Sequence, residues 1–281
     1  MIVWIASYPK SGNTYIRSFL ASYFFSENGK FDFDHLLKLH QFPSMKFSKG
    51  KIESEEEASR LWIFNQKTFF DNNKLNLVKT HNCLLKFKGN DFTSKDQTLG
   101  AIYIVRDPRN LITSFTHHYS FNYDDALKFM MYEKAALVEK SADNDYSNFT
   151  YLNSWANHYK SWKDNKLFET LFIKYEDLED NKEKIFRNII NFINKINKKE
   201  DKIDEKKFLN SIKSTTFVNM KNKELNEGFE ESIISKKTGK KLNFFNLGFN
   251  NRWQKILSND IKQKMNLNFR SELKELGYNY E

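Results

Sequence analysis

Three short apolar runs, each ending in a polar turn that carries a cation, set the pattern of this chain. Ile2–Ala6 gives way to Ser7-Tyr8-Pro9-Lys10-Ser11-Gly12-Asn13-Thr14, after which Tyr15–Phe25 is amphipathic, so the segment predicts strand, loop and helix. Leu75–Val78 predicts a second strand, ending in Lys79-Thr80-His81. Gly100–Val105 predicts a third, buried strand, followed by Arg106-Asp107-Pro108. Pro108 suits a first helical turn, where its missing N–H removes no bond, and Ser114 then falls about two turns into the helix.

The rest of the pattern is mainly helical. Ser54-Glu55-Glu56-Glu57 has capping-box form and opens a helix toward Phe70. Asn122–Lys140 carries Ala126, Phe129, Met130 and Leu137 at helical spacing, followed by a polar loop over Ser141–Asn148. Leu178–Asn194 places Ile185, Ile189, Ile190 and Ile193 on one helical face, and Ser258–Leu276 predicts a closing helix stopped by Gly277. Asn226–Asn243, with Gly228, Gly239 and the run Ser235–Lys241, is long for a compact domain and reads equally as a lid or as a loose surface loop. Alternating strand-like and helical segments predict one α/β domain over residues 1–281, three-layered, with a mostly parallel central sheet flanked by helices.

Ligands of such sheets sit at the carboxyl ends of the strands, where Lys10, Lys79 and Arg106 would converge on one anion. The first loop is P-loop-like: backbone N–H groups at a helix start have no intrahelical partners, Lys10 adds a charge, and Ser11 and Thr14 add hydroxyls. It is not a Walker A loop, because its one glycine, Gly12, follows the lysine instead of preceding it. In an extended chain Lys79 and His81 point to the same side, toward one reacting centre.

Tyr8-Pro9-Lys10-Ser11-Gly12-Asn13-Thr14 after a strand, Lys79-Thr80-His81, and Arg106 with Ser114 eight residues later resemble the motifs of the sulfotransferases that use 3′-phosphoadenosine 5′-phosphosulfate (PAPS) as donor. The resemblance implies a phosphosulfate loop that includes Lys10, Ser11, Gly12, Asn13 and Thr14, with His81 as catalytic base beside Lys10 and Lys79. It also implies a ribose 3′-phosphate site at Arg106 and Ser114, where a guanidinium fork matches phosphate oxygens. Ser154–Trp162 and Leu171–Leu178 are similar to the family's next helix and strand, implying that Tyr175 reaches the adenosine or its ribose. Ser214–Met220 is similar to the segment whose hydroxyl and phenylalanine touch adenine, here Thr215 and Phe217. Phe217 and Tyr15 would then sandwich the base, or serve as ordinary core.

The resemblance is partial near the C terminus. The family's Arg-Lys-Gly, two residues, Gly-Asp-Trp appears here as Asn246-Leu247-Gly248-Phe249-Asn250-Asn251-Arg252-Trp253. Gly248 and Trp253 keep their spacing while the Arg-Lys pair and the second glycine are replaced. Either donor binding is weaker, or Arg252, Lys240 or Lys241 supplies the charge. The family's Thr-Val-centred dimerisation signature is not evident over Gln254–Lys264.

Charge and composition change this picture little. A net charge of +9 invites a nucleic-acid reading, but the lysines are scattered, many in solvated segments such as Asn194–Lys207, and no nucleic-acid partner is expected. The strand at the second residue leaves no room for a signal leader, no apolar run suffices for a membrane span, and a single cysteine forms no intrachain disulfide; these favour a cytoplasmic protein without stable membrane insertion. Cys83 is expected as a buried structural thiol, and the adjacent His117 and His118 as a surface turn.

The expected reaction moves a sulfuryl group from PAPS to a hydroxyl or amine of a small-molecule acceptor, releasing adenosine 3′,5′-bisphosphate (PAP), with no metal. A neutral His81 would take the acceptor's proton, so activity should fall below about pH 6.5. Aromatic residues in Phe24–Phe47 and His117–Tyr132 offer an apolar acceptor pocket or plain packing. An ATP-dependent phosphotransferase and a noncatalytic nucleotide-binding member of the same fold are the alternatives.

Overall fold

The computed structural model of the chain describes residues 1–138, 144–234, 239 and 241–279. The chain opens with β1 (Ile2–Ser7), α1 (Asn13–Phe25), α2 (Phe33–Leu36), β2 (His40–Gln41), α3 (Glu55–Phe69), β3 (Asn76–Thr80) and β4 (Thr98–Val105). It continues with α4 (Pro108–Tyr119), α5 (Tyr123–Met131), β5 (Ala136–Leu137), β6 (Thr150–Tyr151), α6 (Trp155–Lys163), β7 (Thr170–Lys174) and α7 (Asp177–Ile196). The last part holds α8 (Glu205–Ser214), α9 (Phe217–Glu227), β8 (Ile233–Ile234), β9 (Lys241–Leu242), α10 (Trp253–Ile256), α11 (Asn259–Asn268) and α12 (Arg270–Glu275).

The central sheet runs β2-β3-β1-β4-β7 with every pairing parallel, and helices cover both faces. All six residues of β1 are buried, as a central parallel strand requires. Alternation across β1 splits the core. Trp4 and Ala6 face a cluster with Trp62, Trp155 and Trp162, whereas Val3 and Ile5 face one built from α1 and α7. Burying Ile189, Ile190 and Ile193 of α7 stabilises that second layer by roughly 1.5–3 kcal/mol per side chain.

Four expectations are corrected. The helix expected over Asn122–Lys140 stops at Met131, because Ala136 and Leu137 pair antiparallel with Tyr151 and Thr150; short apolar spacing serves either structure. The closing helix breaks at Phe269, whose buried ring packs edge-on against Trp155 at 5.2 Å and leaves α11 and α12 as separate pieces. His117 and His118 are not in a surface turn but in the last turn of α4. The segment Asn226–Asn243 is partly regular: α9 extends to Glu227, and Ile233 and Ile234 pair with Leu242 and Lys241. Of that segment, residues 235–238 and Lys240 lie outside the described residues, as do residues 139–143 around the start of the expected polar loop. Ser54 caps α3 as expected, accepting from the Glu57 N–H, while Glu57 reaches back to the N–H of Glu53.

Candidate active site

The carboxyl ends of β1, β3 and β4 open into a cleft of about 390 Å³. Of the residues singled out in the sequence, Lys10, Gly12, Asn13, Thr14, Tyr15, Lys79, His81, Arg106, Ser114, Tyr175, Phe217 and Gly248 line it. Ser11, Thr215 and Arg252 do not. Ser11 is buried within the loop with its hydroxyl unpartnered, and Thr215 spends its hydroxyl on the Ser211 carbonyl at the end of α8.

The loop between β1 and α1 is held from below and from the side. Asn13 donates its amide to the Ile5 carbonyl at 2.9 Å, fastening the start of α1 to β1. Gly12 is left-handed at φ 96°, and a Cβ there would sit 2.2 Å from the Tyr175 ring, so conformation and space both demand glycine. Arg106, at the end of β4, donates to the Lys10 carbonyl at 2.9 Å while its guanidinium lies 4.5 Å over Tyr175. The Arg106 Nε is buried without a partner.

Lys10 reaches into the cleft against two groups the sequence did not place there. Its ammonium is 3.3 Å from Nδ1 of His118 and 4.0 Å over the Phe244 ring. Burial lowers its pKa to about 7, with Lys79 and Arg106 pushing the same way and Glu231 opposing. Burial and the Lys10 charge lower His118 to about 3, so its imidazole is neutral and accepts from the ammonium.

His81 is fixed in position and tautomer. Its Nδ1 is 2.7 Å from the Ser7 carbonyl, which can only accept, so Nδ1 carries the proton and Nε2 keeps a lone pair. Its own carbonyl accepts from Nε2 of buried His158 at 2.9 Å, and Tyr103 donates to Nδ1 of His158 at 2.8 Å. Burial, helped by Lys79, holds the His81 pKa well below 6.5. Cys83, two residues on, is buried and its thiol pushed up to about 12, an inert packing group.

The far end of the cleft is aromatic. Gly248, at φ 57°, lets the Phe217 ring come within 2.6 Å of where a Cβ would stand, and Phe249 stacks on Tyr175 at 5.1 Å. Tyr15 packs edge-on against Phe186 and Phe249. Asn251, in place of a glycine, accepts from Thr113 and donates to the Asn110 carbonyl at 2.8 Å, tying this segment to α4. Arg252 turns outward to Glu179 at 2.7 Å, and Lys241 does not line the cleft.

The hairpin β8–β9 brings an acid to the opposite wall. Buried Glu224 of α9 accepts from the Phe244 and Phe245 N–H groups and from Ser232, which fixes the base of the hairpin. Glu231 beside it accepts from Thr14 and Arg17, each at 2.9 Å, and from Lys79 at 3.2 Å. Burial would raise its pKa, but Lys79, Arg17 and the Thr14 hydroxyl outweigh that and hold it far below the usual carboxylate range. Arg17 was legible in principle, one helical turn past Thr14; Glu231, His118, Phe244 and Phe249 carried no local signal.

The loop–helix start, a tautomer-fixed histidine and an arginine thus meet in one cleft at the carboxyl ends of adjoining parallel strands. The model of the sulfotransferase domain matches residues 2–277, and the chain belongs to that family. Among solved structures, mouse sulfotransferase SULT7A1 complexed with PAP is 17% identical, over 97% of this chain and 84% of that one, with a TM-score of 0.57. Retinol dehydratase in complex with androsterone and inactive cofactor PAP is 17% identical, over 97% of this chain and 80% of that one, with a TM-score of 0.61. Among the described residues no helix is long and apolar enough to cross a membrane.

Proposed function

We propose that the cleft takes PAPS as donor and that His81 is the general base for sulfuryl transfer to a hydroxyl or amine of a small acceptor. One observation carries this reading: Lys10, Lys79, His81 and Arg106, from three separate parts of the chain, line one cavity. The unpartnered, buried Arg106 Nε and the aromatic faces of Phe217 and Phe249 suit a nucleotide phosphate and base. When bound, the donor supplies the activated sulfuryl group.

The residues then divide the work. Lys10 and Lys79 offer N–H donors to charge growing on sulfuryl and bridging oxygens, where a well-placed donor contributes on the order of 3 kcal/mol. His81 receives the acceptor's proton at Nε2, since Nδ1–H is committed to Ser7. Arg106 and Ser114 hold the 3′-phosphate, with Tyr175 under the guanidinium. Phe42 and Tyr119 give the cleft an apolar wall for the acceptor's body. Calorimetry with PAP in EDTA, run beside ATP with Mg²⁺, tests the donor assignment. Binding of ATP alone would overturn it, and transfer of labelled sulfuryl to screened acceptors tests the chemistry.

A further inference from the structure

We propose that Thr14, Arg17 and Lys79 form one anion subsite of the donor pocket and that Glu231 is its internal occupant, a carboxylate which the donor's charged group displaces. The proposal rests on the donor reading above. Thr14 and Arg17 come from α1, which follows the loop, and Lys79 from β3, the strand paired with β1; the three are 6%, 5% and 7% exposed. They share a single carboxylate: Thr14 donates to Oε2 at 2.9 Å, Arg17 to Oε1 at 2.9 Å and Lys79 to the same Oε1 at 3.2 Å.

The fit is that of a stand-in. A planar carboxylate has two oxygens and here doubles two cations on one of them, whereas a phosphoryl or sulfuryl group presents three terminal oxygens, one for each donor. The Arg17 Nε is buried without a partner, so the guanidinium has an N–H that the carboxylate does not use. Thr14 and Lys79 are also the hydroxyl and ammonium that the donor reading needs, so Glu231 and the donor's anionic group compete for the same atoms. The internal anion keeps Arg17 and Lys79 from repelling each other before donor arrives. Glu224 holds the adjoining Ser232 and Phe244, so Glu231 stays tethered beside the cleft after it leaves.

The test is PAP affinity by calorimetry at pH 6, in the wild type and in Glu231→Gln, which keeps shape and removes charge. An internal competitor predicts about tenfold tighter binding in the variant. Equal or weaker binding would make Glu231 a strut for Lys79 and overturn the proposal. Glu231→Asp, one methylene shorter and so drawn back from Thr14 and Lys79, is expected to tighten binding as well and serves where Glu231→Gln does not fold. Arg17→Lys, which keeps the charge and loses the fork, should weaken PAP about fivefold, and unchanged affinity removes Arg17 from the subsite. Wild-type protein that fails to bind PAP sinks the donor reading itself, whereas binding without tightening sinks only the subsite.

Discussion

Nδ1 of His81 lies 2.7 Å from the carbonyl oxygen of Ser7, so the last residue of β1 dictates which nitrogen of a histidine 74 positions away is free to accept a proton. His81→Ala should therefore lower kcat by roughly 10²- to 10⁴-fold while PAP affinity stays within about threefold. Steady-state kinetics beside calorimetry separates the two, and near-normal turnover would remove His81 from the base role.

The pH profile follows from the same burial. The expectation of an acid limb near pH 6.5 is revised, because the His81 pKa in the folded protein is well below 6.5. A base works only when unprotonated, so kcat should hold steady through pH 6 and fall only at more acid pH. A limb centred at or above 6.5 would contradict the environment described for this ring.

Lys10 titrates in the opposite sense. With its pKa lowered to about 7, most of the population is neutral at pH 8, and an anion binds the ammonium form more tightly. Binding PAP at pH 8 should thus take up protons, approaching one per site, and the uptake should shrink at pH 6. Calorimetry in buffers of different ionisation enthalpy measures this directly, and Lys10→Met should abolish most of it.

Two arginines should behave differently toward the nucleotide. Arg106→Lys loses both the fork and the contact with the Lys10 carbonyl, and PAP affinity should drop at least about tenfold. Arg252→Ala removes an exposed pair with Glu179, expected to change stability by about 0–1 kcal/mol and PAP affinity by less than about twofold. Parallel titrations of the two variants decide between them.

Gly12→Ala meets a left-handed φ and the Tyr175 ring together. Loss of about 1–3 kcal/mol in chemical denaturation is expected, with weaker PAP binding because Tyr175 also carries the Arg106 guanidinium.

Residues at strand ends were legible in the sequence because local rules place them: period two for Lys79 and His81, a helix start for Gly12 and Thr14, a proline-marked turn for Arg106. The parallel sheet and its ligand edge followed from the same rules. What escaped depends on long-range placement. His118 reads as a helix-end histidine until Lys10, 108 residues earlier, is beside it. Glu231 is a loop acid until the hairpin folds it onto Thr14, 217 residues away. The split of the closing helix at Phe269 has neither glycine nor proline to mark it, and reflects the pull of Trp155 on a buried ring. Arg252 was a plausible replacement cation by spacing, yet Asn251 docks the backbone on α4 and the guanidinium turns to Glu179.

The strand order β2-β3-β1-β4-β7 seats β1 between partners that lie about 70 and 100 residues further along the chain. A fragment ending before Arg106 cannot bring the loop, the imidazole and the guanidinium side by side. Pairing of β4 with β1 is thereby the step that first gathers the three groups at one edge.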